Sequence, residues 1–297
     1  MTPRAIAVTR ARLKRTPLPE LDESGDKDTR GKVLVVGGST QIAGAVLLAG
    51  VAALRAGAGK LQLATVESAS TTLGIAVPES LVVALPESRT GEISAKRGAR
   101  LLVEYASQCD AMLVGPGMTS ERSARSLVSA LAGRMRDDAT LVLDAAAATS
   151  LRGSFDLLTP IVGRVVITPH AGEMATLLGV DIDEVEADPA AVAVRAAGEL
   201  GIVVALKGAE SWIADPEGAL FFYSGGSVGL ATSGSGDTLA GIVAGLAARG
   251  ASPLRAAMWG VYLHGAAGEV LAKRIGRVGY LARELLDEVP TVMHSLS

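Results

Sequence analysis

Cysteine, histidine and aromatic residues are all scarce in this chain, and each scarcity excludes something. A single cysteine, Cys109, in 297 residues rules out an intramolecular disulfide, and three histidines (His170, His264, His294) without a CxxC pair leave no His/Cys zinc cluster. A reduced, cytoplasmic protein is expected. Cationic excess is missing too: 28 Lys and Arg stand against 31 Asp and Glu, a formal net charge of −3. Nothing there neutralises a phosphate backbone, so nucleic acid is not an expected partner. The longest uncharged apolar stretches, 42–54 and 239–248, fall short of the ~20 residues that cross a bilayer. The basic start (Arg4, Arg10, Arg12, Lys14, Arg15) is not followed by the apolar run of a secretory signal. No membrane partner is expected.

What is abundant is glycine. The 35 glycines amount to well above the roughly 7% of average usage. Some serve surface turns, but dense clusters at Gly37-Gly38, Gly115-Pro116-Gly117 and from Gly225 to Gly241 suggest backbone that approaches a ligand closely. With 49% hydrophobic residues, the chain can bury a sizeable core and is not disordered as a whole.

The first thirty or so residues are polar, charged and proline-containing, and read as an N-terminal arm, 1–31, leading into a single domain, 32–297. Short β-branched runs then alternate with segments of helical period. Strands are predicted at 33–36, 60–66, 81–85, 111–114, 140–143, 164–167 and 203–206, and an antiparallel pair at 211–214 and 219–223 around the turn Asp215-Pro216-Glu217-Gly218. Helices are predicted at 43–56, 95–107, 121–132, 171–178, 189–200, 238–249, 253–273 and 280–289. This alternation means an α/β fold, a mostly parallel central sheet with helices on both faces. Ligands on such sheets bind beyond the carboxyl ends of the strands.

Three loops there carry chemistry. The glycine-rich run Thr232-Ser233-Gly234-Ser235-Gly236-Asp237 enters an apolar helix, and its backbone N–H groups make an anion hole (Gly234, Ser235, Gly236) suited to a phosphoryl group. An acid in that place repels phosphate, so Asp237 fits a base that takes a proton from a hydroxyl beside it, or else a helix N-cap. Thr168-Pro169-His170-Ala171-Gly172-Glu173 follows a strand. There Glu173 suits the dipole of the helical first turn, while His170 has no obvious structural reason and suits a ligand oxygen. Lys207, ending another strand before Gly208, is placed to meet nucleotide phosphates or is a solvated strand end. Asp144, after 140–143, is a further carboxylate or an N-cap. Neither GxxxxGK[ST] nor a GxGxxG after a strand is present, which sets aside P-loop NTPases and ordinary Rossmann dehydrogenases.

Together these loops resemble the ribokinase-like superfamily and, within it, the ADP-dependent NAD(P)H-hydrate dehydratases. The resemblance rests on GGSTQIAGA (37–45), VGPGM (114–118), LVLDA (141–145), TPHAGEMATLLG (168–179), LKGAES (206–211) and ATSGSGDTLAGIVAGLAARG (231–250), and covers roughly 32–273. It implies a ribokinase-like fold and a repair lyase that phosphorylates the hydroxyl of hydrated NADH or NADPH from ADP and then eliminates phosphate. It implies ADP with Mg²⁺ as cofactors and leaves the metal ligands unassigned. Lys207, Gly208, Ala209, Glu210, Ser211 and Gly236 would hold the nucleotide. Ala43, Gly117, His170 and Asp237 would line the hydrated-cofactor site, with Asp237 catalytic. It further implies a homo-oligomer, a tetramer, and any epimerase as a separate protein, since thirty residues do not encode one. Thr238 stands where the family commonly has Val. Two other functions compete: a small-alcohol kinase of the same fold, with a stable phosphate ester as product, and a nucleotide sensor without turnover, which would have no need of Asp237.

Overall fold

The computed structural model describes residues 3–20 and 24–296. Unbroken apolar runs are what strands covered on both faces require, and they form one ten-stranded sheet. Its strands are β1 (Ile6–Ala7), β2 (Lys32–Val36), β3 (Lys60–Val66), β4 (Ser80–Leu85), β5 (Ala111–Val114), β6 (Thr140–Leu143), β7 (Val165–Ile167), β8 (Val203–Leu206), β9 (Ser211–Ala214) and β10 (Leu220–Tyr223). The order is β1-β10-β9-β8-β7-β6-β5-β2-β3-β4, parallel from β8 through β4, with β9 antiparallel to both its neighbours.

Alternation along β2 divides the interior. Leu34 and Val36 join the core that includes Leu102, Leu127 and Met174, whereas Val33 and Val35 join the one that includes Ala49, Val243 and Leu263. Helices therefore cover both faces, as the sequence predicts. The chain builds outward from β2 to β4, returns to β5, and then proceeds the other way through β8. The order thus reverses between β2 and β5, and it is beyond the carboxyl ends of the strands at such a reversal that sheets of this kind receive ligands.

The structure departs from expectation in several places. The segment before residue 21 does not merely lead up to the domain. β1 pairs with β10 in the register Ile6↔Phe221, Val8 and Leu13 are buried, and Trp259 Nε1 donates to Thr16 O at 2.8 Å. The acidic Asp22-Glu23 of the expected arm lies outside the described residues. Helices Glu67–Ala76, Ala145–Thr149 and Ile182–Ala187 were not predicted. The final helix, Ala282–His294, does not stop at Val289 but runs through Pro290, giving up one main-chain bond while burying Val292. Cys109 is fully buried, and burial first, with Asp110 beside it, pushes its thiol up to about 12.

Candidate active site

At the reversal point the loops after β2 and β5 are bonded to each other. Gly38 N–H donates to Pro116 O at 2.7 Å, and a Cβ on Gly117 would stand 2.3 Å from Ile42 O. Only a bare backbone fits there. Gly117 is thus set against Ile42 and Ala45, which flank Ala43 at the start of helix Gly44–Arg55.

A second helix, Ser235–Ala248, lies alongside the first and parallel to it. A Cβ on Gly241 would meet Ala49 O at 2.1 Å, and one on Gly245 would meet Ala53 O at 2.3 Å. Counting one turn back along both helices sets Asp237 level with Ala45. Neither helix has a side-chain cap at its N-terminus. In the second, Gly234 is the cap residue in the left-handed region (φ +87°), Ser235 N–H is bonded to Thr232 O and Thr238 N–H to Gly234 O. The Gly236 and Asp237 N–H groups between them have no backbone partner among the described residues. Two positive helix ends and open donors converge on one place, the arrangement that receives an anion.

Lys207 supplies the cation. Its Nζ lies 3.1 Å from Asp144 Oδ1 and 3.8 Å from Glu173 Oε2, and a Cβ on Gly236 would be 3.2 Å from it. Burial alone would lower the lysine, but the Asp144 and then Glu173 charges outweigh that and hold it above its ordinary value. It is a full ammonium at neutral pH. Asp144 is buried, occupies the N-cap position of helix Ala145–Thr149 without a side-chain cap bond, and accepts from Thr168 Oγ1 at 2.7 Å. The next residue, Ala145, has φ +49°, a left-handed backbone that costs an alanine on the order of 1 kcal/mol.

Asp237 faces this lysine and two carboxylates. Burial, then Asp144, with Glu173 adding to them and Lys207 opposing, raises its carboxyl from 3.8 to about 7. A carboxylic acid tuned to neutrality can accept a proton and pass it on. Because the helix begins at Ser235 rather than near Thr238, Asp237 sits in its first turn and is not the N-cap.

His170 has the structural reason the sequence did not reveal. It caps helix Ala171–Leu178: Nδ1 accepts from the Gly172 and Glu173 N–H groups at 3.1 and 3.3 Å, and Glu173 Oε2 accepts the His170 N–H in return. With Nδ1 so occupied, the neutral ring carries its proton on Nε2, and the side chain is 61% exposed. Gly208, Ala209 and Glu210 form an exposed rim beyond Lys207, with Ser211 half-buried at the start of β9. Two partners escaped the sequence reading. Thr168 is the donor to Asp144, and half-buried His264 faces Ser235 Oγ from Nε2 at 2.9 Å. Burial and then Lys207 push His264 down to about 4, so it is neutral. Thr168 stands in the 168–179 run, but nothing local marks its bond to Asp144, and no pattern marks His264, since each meets its partner only through the fold.

A doubly wound sheet with a half-buried lysine, an open helix N-terminus and an aspartate raised to about 7 at the carboxyl ends of its strands is the architecture of the ribokinase-like class. The NAD(P)H-hydrate dehydratase family profile matches residues 33–291. The chain is 52% identical over 296 residues to the ADP-dependent (S)-NAD(P)H-hydrate dehydratase of Xanthomonas campestris, covering 99% of this chain and 98% of that one. It is 39% identical to the bifunctional NAD(P)H-hydrate repair enzyme of Moorella thermoacetica, covering 95% of this chain and 53% of the longer protein. The crystal structure of the ADP/ATP-dependent NAD(P)H-hydrate dehydratase of Bacillus subtilis, co-crystallised with ATP and Mg²⁺, superposes with TM-score 0.82 at 29% identity, covering 99% of each chain. This chain belongs to the NAD(P)H-hydrate dehydratase family.

Proposed function

We propose that the chain restores hydrated NADH and NADPH by an ADP-dependent dehydration, releasing AMP and phosphate. The observation that carries the mechanism is Asp237, held near neutrality beside Lys207 and the open turn at Gly236. Asp237 takes the proton of the added hydroxyl, whose oxygen attacks the terminal phosphorus of ADP, and AMP departs. Lys207 and the Gly236 and Asp237 N–H groups receive the charge on the transferred group. The C–O bond to the new phosphate then breaks, assisted by the ring nitrogen lone pair, and loss of a proton from the neighbouring carbon re-forms the double bond. Hydroxide is a poor leaving group and phosphate a good one, which is why ADP is consumed.

Ala43, Gly117 and His170 border the hydrated ring in this reading. Lys207 through Ser211, with the Gly234–Ser235–Gly236 turn, hold the nucleotide. Among the described residues no group of three His, Cys, Asp or Glu side chains could cage a metal. Mg²⁺ would bind with the nucleotide phosphates and neutralise their charge. The catalytic unit in this reading is the single domain 32–297, with the preceding residues completing its sheet edge. A homo-oligomer (tetramer), a separate epimerase and a cytoplasmic setting, where one free thiol stays reduced, complete it on the strength of the family resemblance.

Incubated with hydrated NADH and ADP, the protein restores the dihydropyridine absorbance with one AMP and one phosphate per cofactor. A stable phosphorylated alcohol would assign it instead to the kinases of this fold. Lys207→Ala raises the apparent constant for ADP about ten-fold or more while turnover at saturating ADP falls less, because a phosphate clamp acts in ground and transition states alike. An unchanged ADP constant would return Lys207 to an ordinary strand end.

A further inference from the structure

An ammonium on a four-carbon stem is a compact charge but a loose one, and something must fix it where phosphate arrives. Asp144 is placed to do so. It ends β6 at 3% exposure, its N–H bonds Val114 O at 3.1 Å, and a Cβ on Gly115 would stand 2.0 Å from its carbonyl oxygen, so its backbone has no slack. The helix that follows takes no cap from its side chain, and the left-handed Ala145 turns the chain away immediately after it. The carboxylate is thereby left for other partners: Oδ1 accepts from Thr168 Oγ1 at 2.7 Å and from Lys207 Nζ at 3.1 Å. Glu173 stands farther from the lysine, at 3.8 Å, and its Oε2 is already committed to the His170 N–H at 2.9 Å.

We propose that Asp144 is a positioning residue for phosphoryl transfer: it fixes the Lys207 ammonium against the Gly236 turn and places its own negative charge in the site that Asp237 shares. The proposal rests on the reading of Asp237 as that base. Asp237 is faced by Asp144 at the end of β6, Lys207 at the end of β8 and Glu173 on helix Ala171–Leu178. His264, on helix Pro253–Arg274, faces Ser235 on the helix of Asp237 and is neutral. The negative charge of Asp144 disfavours ionisation of Asp237, so its removal lets Asp237 lose its proton at lower pH. The same removal unties Lys207. One substitution therefore moves two quantities that a purely structural residue would not move together.

The test measures turnover against pH, and the apparent ADP constant, with hydrated NADH as the other substrate. In Asp144→Asn the acid limb moves down by about one pH unit, the size of a single close charge, and the ADP constant rises about ten-fold. Asp144→Glu, which keeps the charge but displaces it by a methylene, restores the limb and only part of the ADP constant. Thr168→Val, which frees the carboxylate without removing its charge, raises the ADP constant a few-fold and leaves the limb in place, and it serves as the test if Asp144→Asn does not fold. An unmoved limb in folded Asp144→Asn, or an unchanged ADP constant in Thr168→Val, overturns the proposal. If Asp237→Asn retains parental turnover, the base reading itself has failed. If Asp237→Asn is inactive while the Asp144→Asn limb stays put, only the role of Asp144 has failed.

Discussion

Asp237→Asn lowers turnover by roughly a hundred-fold to ten-thousand-fold, the range lost with a general base, and leaves the fold and ADP affinity intact. The change is small in volume and costs no cap, since Gly234 occupies the cap position. What disappears is proton acceptance. An acid in the first helical turn is worth ~0.3–1 kcal/mol to the helix, but here burial and two neighbouring carboxylates already work against the ionised form. Stability therefore changes little in either direction. Turnover, a melting curve and ADP binding measured on the same preparation check this. Turnover within a few-fold of the parent in a folded variant would remove the mechanism while leaving the family membership untouched.

Gly241→Ala produces a large loss of stability from one added methyl group. The new Cβ would stand 2.1 Å from a backbone oxygen, Ala49 O, and no rotamer change relieves a clash with main chain. The helices must separate, and overpacking of this kind costs about 1–3 kcal/mol, occasionally more. For a protein of this size each kcal/mol is roughly 2–4 °C of melting temperature, so a fall of roughly 5–10 °C is expected. Gly198→Ala supplies the contrast. Gly198 lies in helix Pro189–Leu200, has nothing within 4 Å of an added Cβ, and should gain up to ~1 kcal/mol from helix propensity. Separating the paired helices also pulls Asp237 away from Ala43 and Gly117, so kcat/KM falls in Gly241→Ala and stays parental in Gly198→Ala. Equal melting temperatures for the two variants would show that helix spacing is not what Gly241 controls.

Central strands were legible to the residue because buried parallel strands read as plain apolar runs. β5, β6 and β8 begin and end where such runs do. Helices Ala171–Leu178 and Pro189–Leu200 were equally plain, each with a polar residue before it and a left-handed glycine, Gly179 or Gly201, after it. Helix Glu67–Ala76 was not, since it buries only Leu73 and so lacks a periodic face. β1 is two residues in a polar stretch, and its reason for forming lies in the partner strand β10, some 215 residues away along the chain. In the site, glycine marked the loops, but the contacts that set the chemistry are not local. Asp144 and Lys207 are 63 positions apart, a pairing the strand order brings about, and Ser235 and His264 are 29 apart, a pairing made by the packing of their two helices. The His170 cap went unread because histidine is not among the preferred N-cap residues.

The buried thiol has a consequence for how such an enzyme meets its surroundings. Oxidants, alkylating agents and mixed-disulfide partners attack the thiolate, and Cys109 is sealed from solvent with its thiol held protonated up to about 12. No residue of the catalytic apparatus described above is a cysteine. The catalytic apparatus thus offers thiol-directed oxidants and alkylating agents nothing to attack.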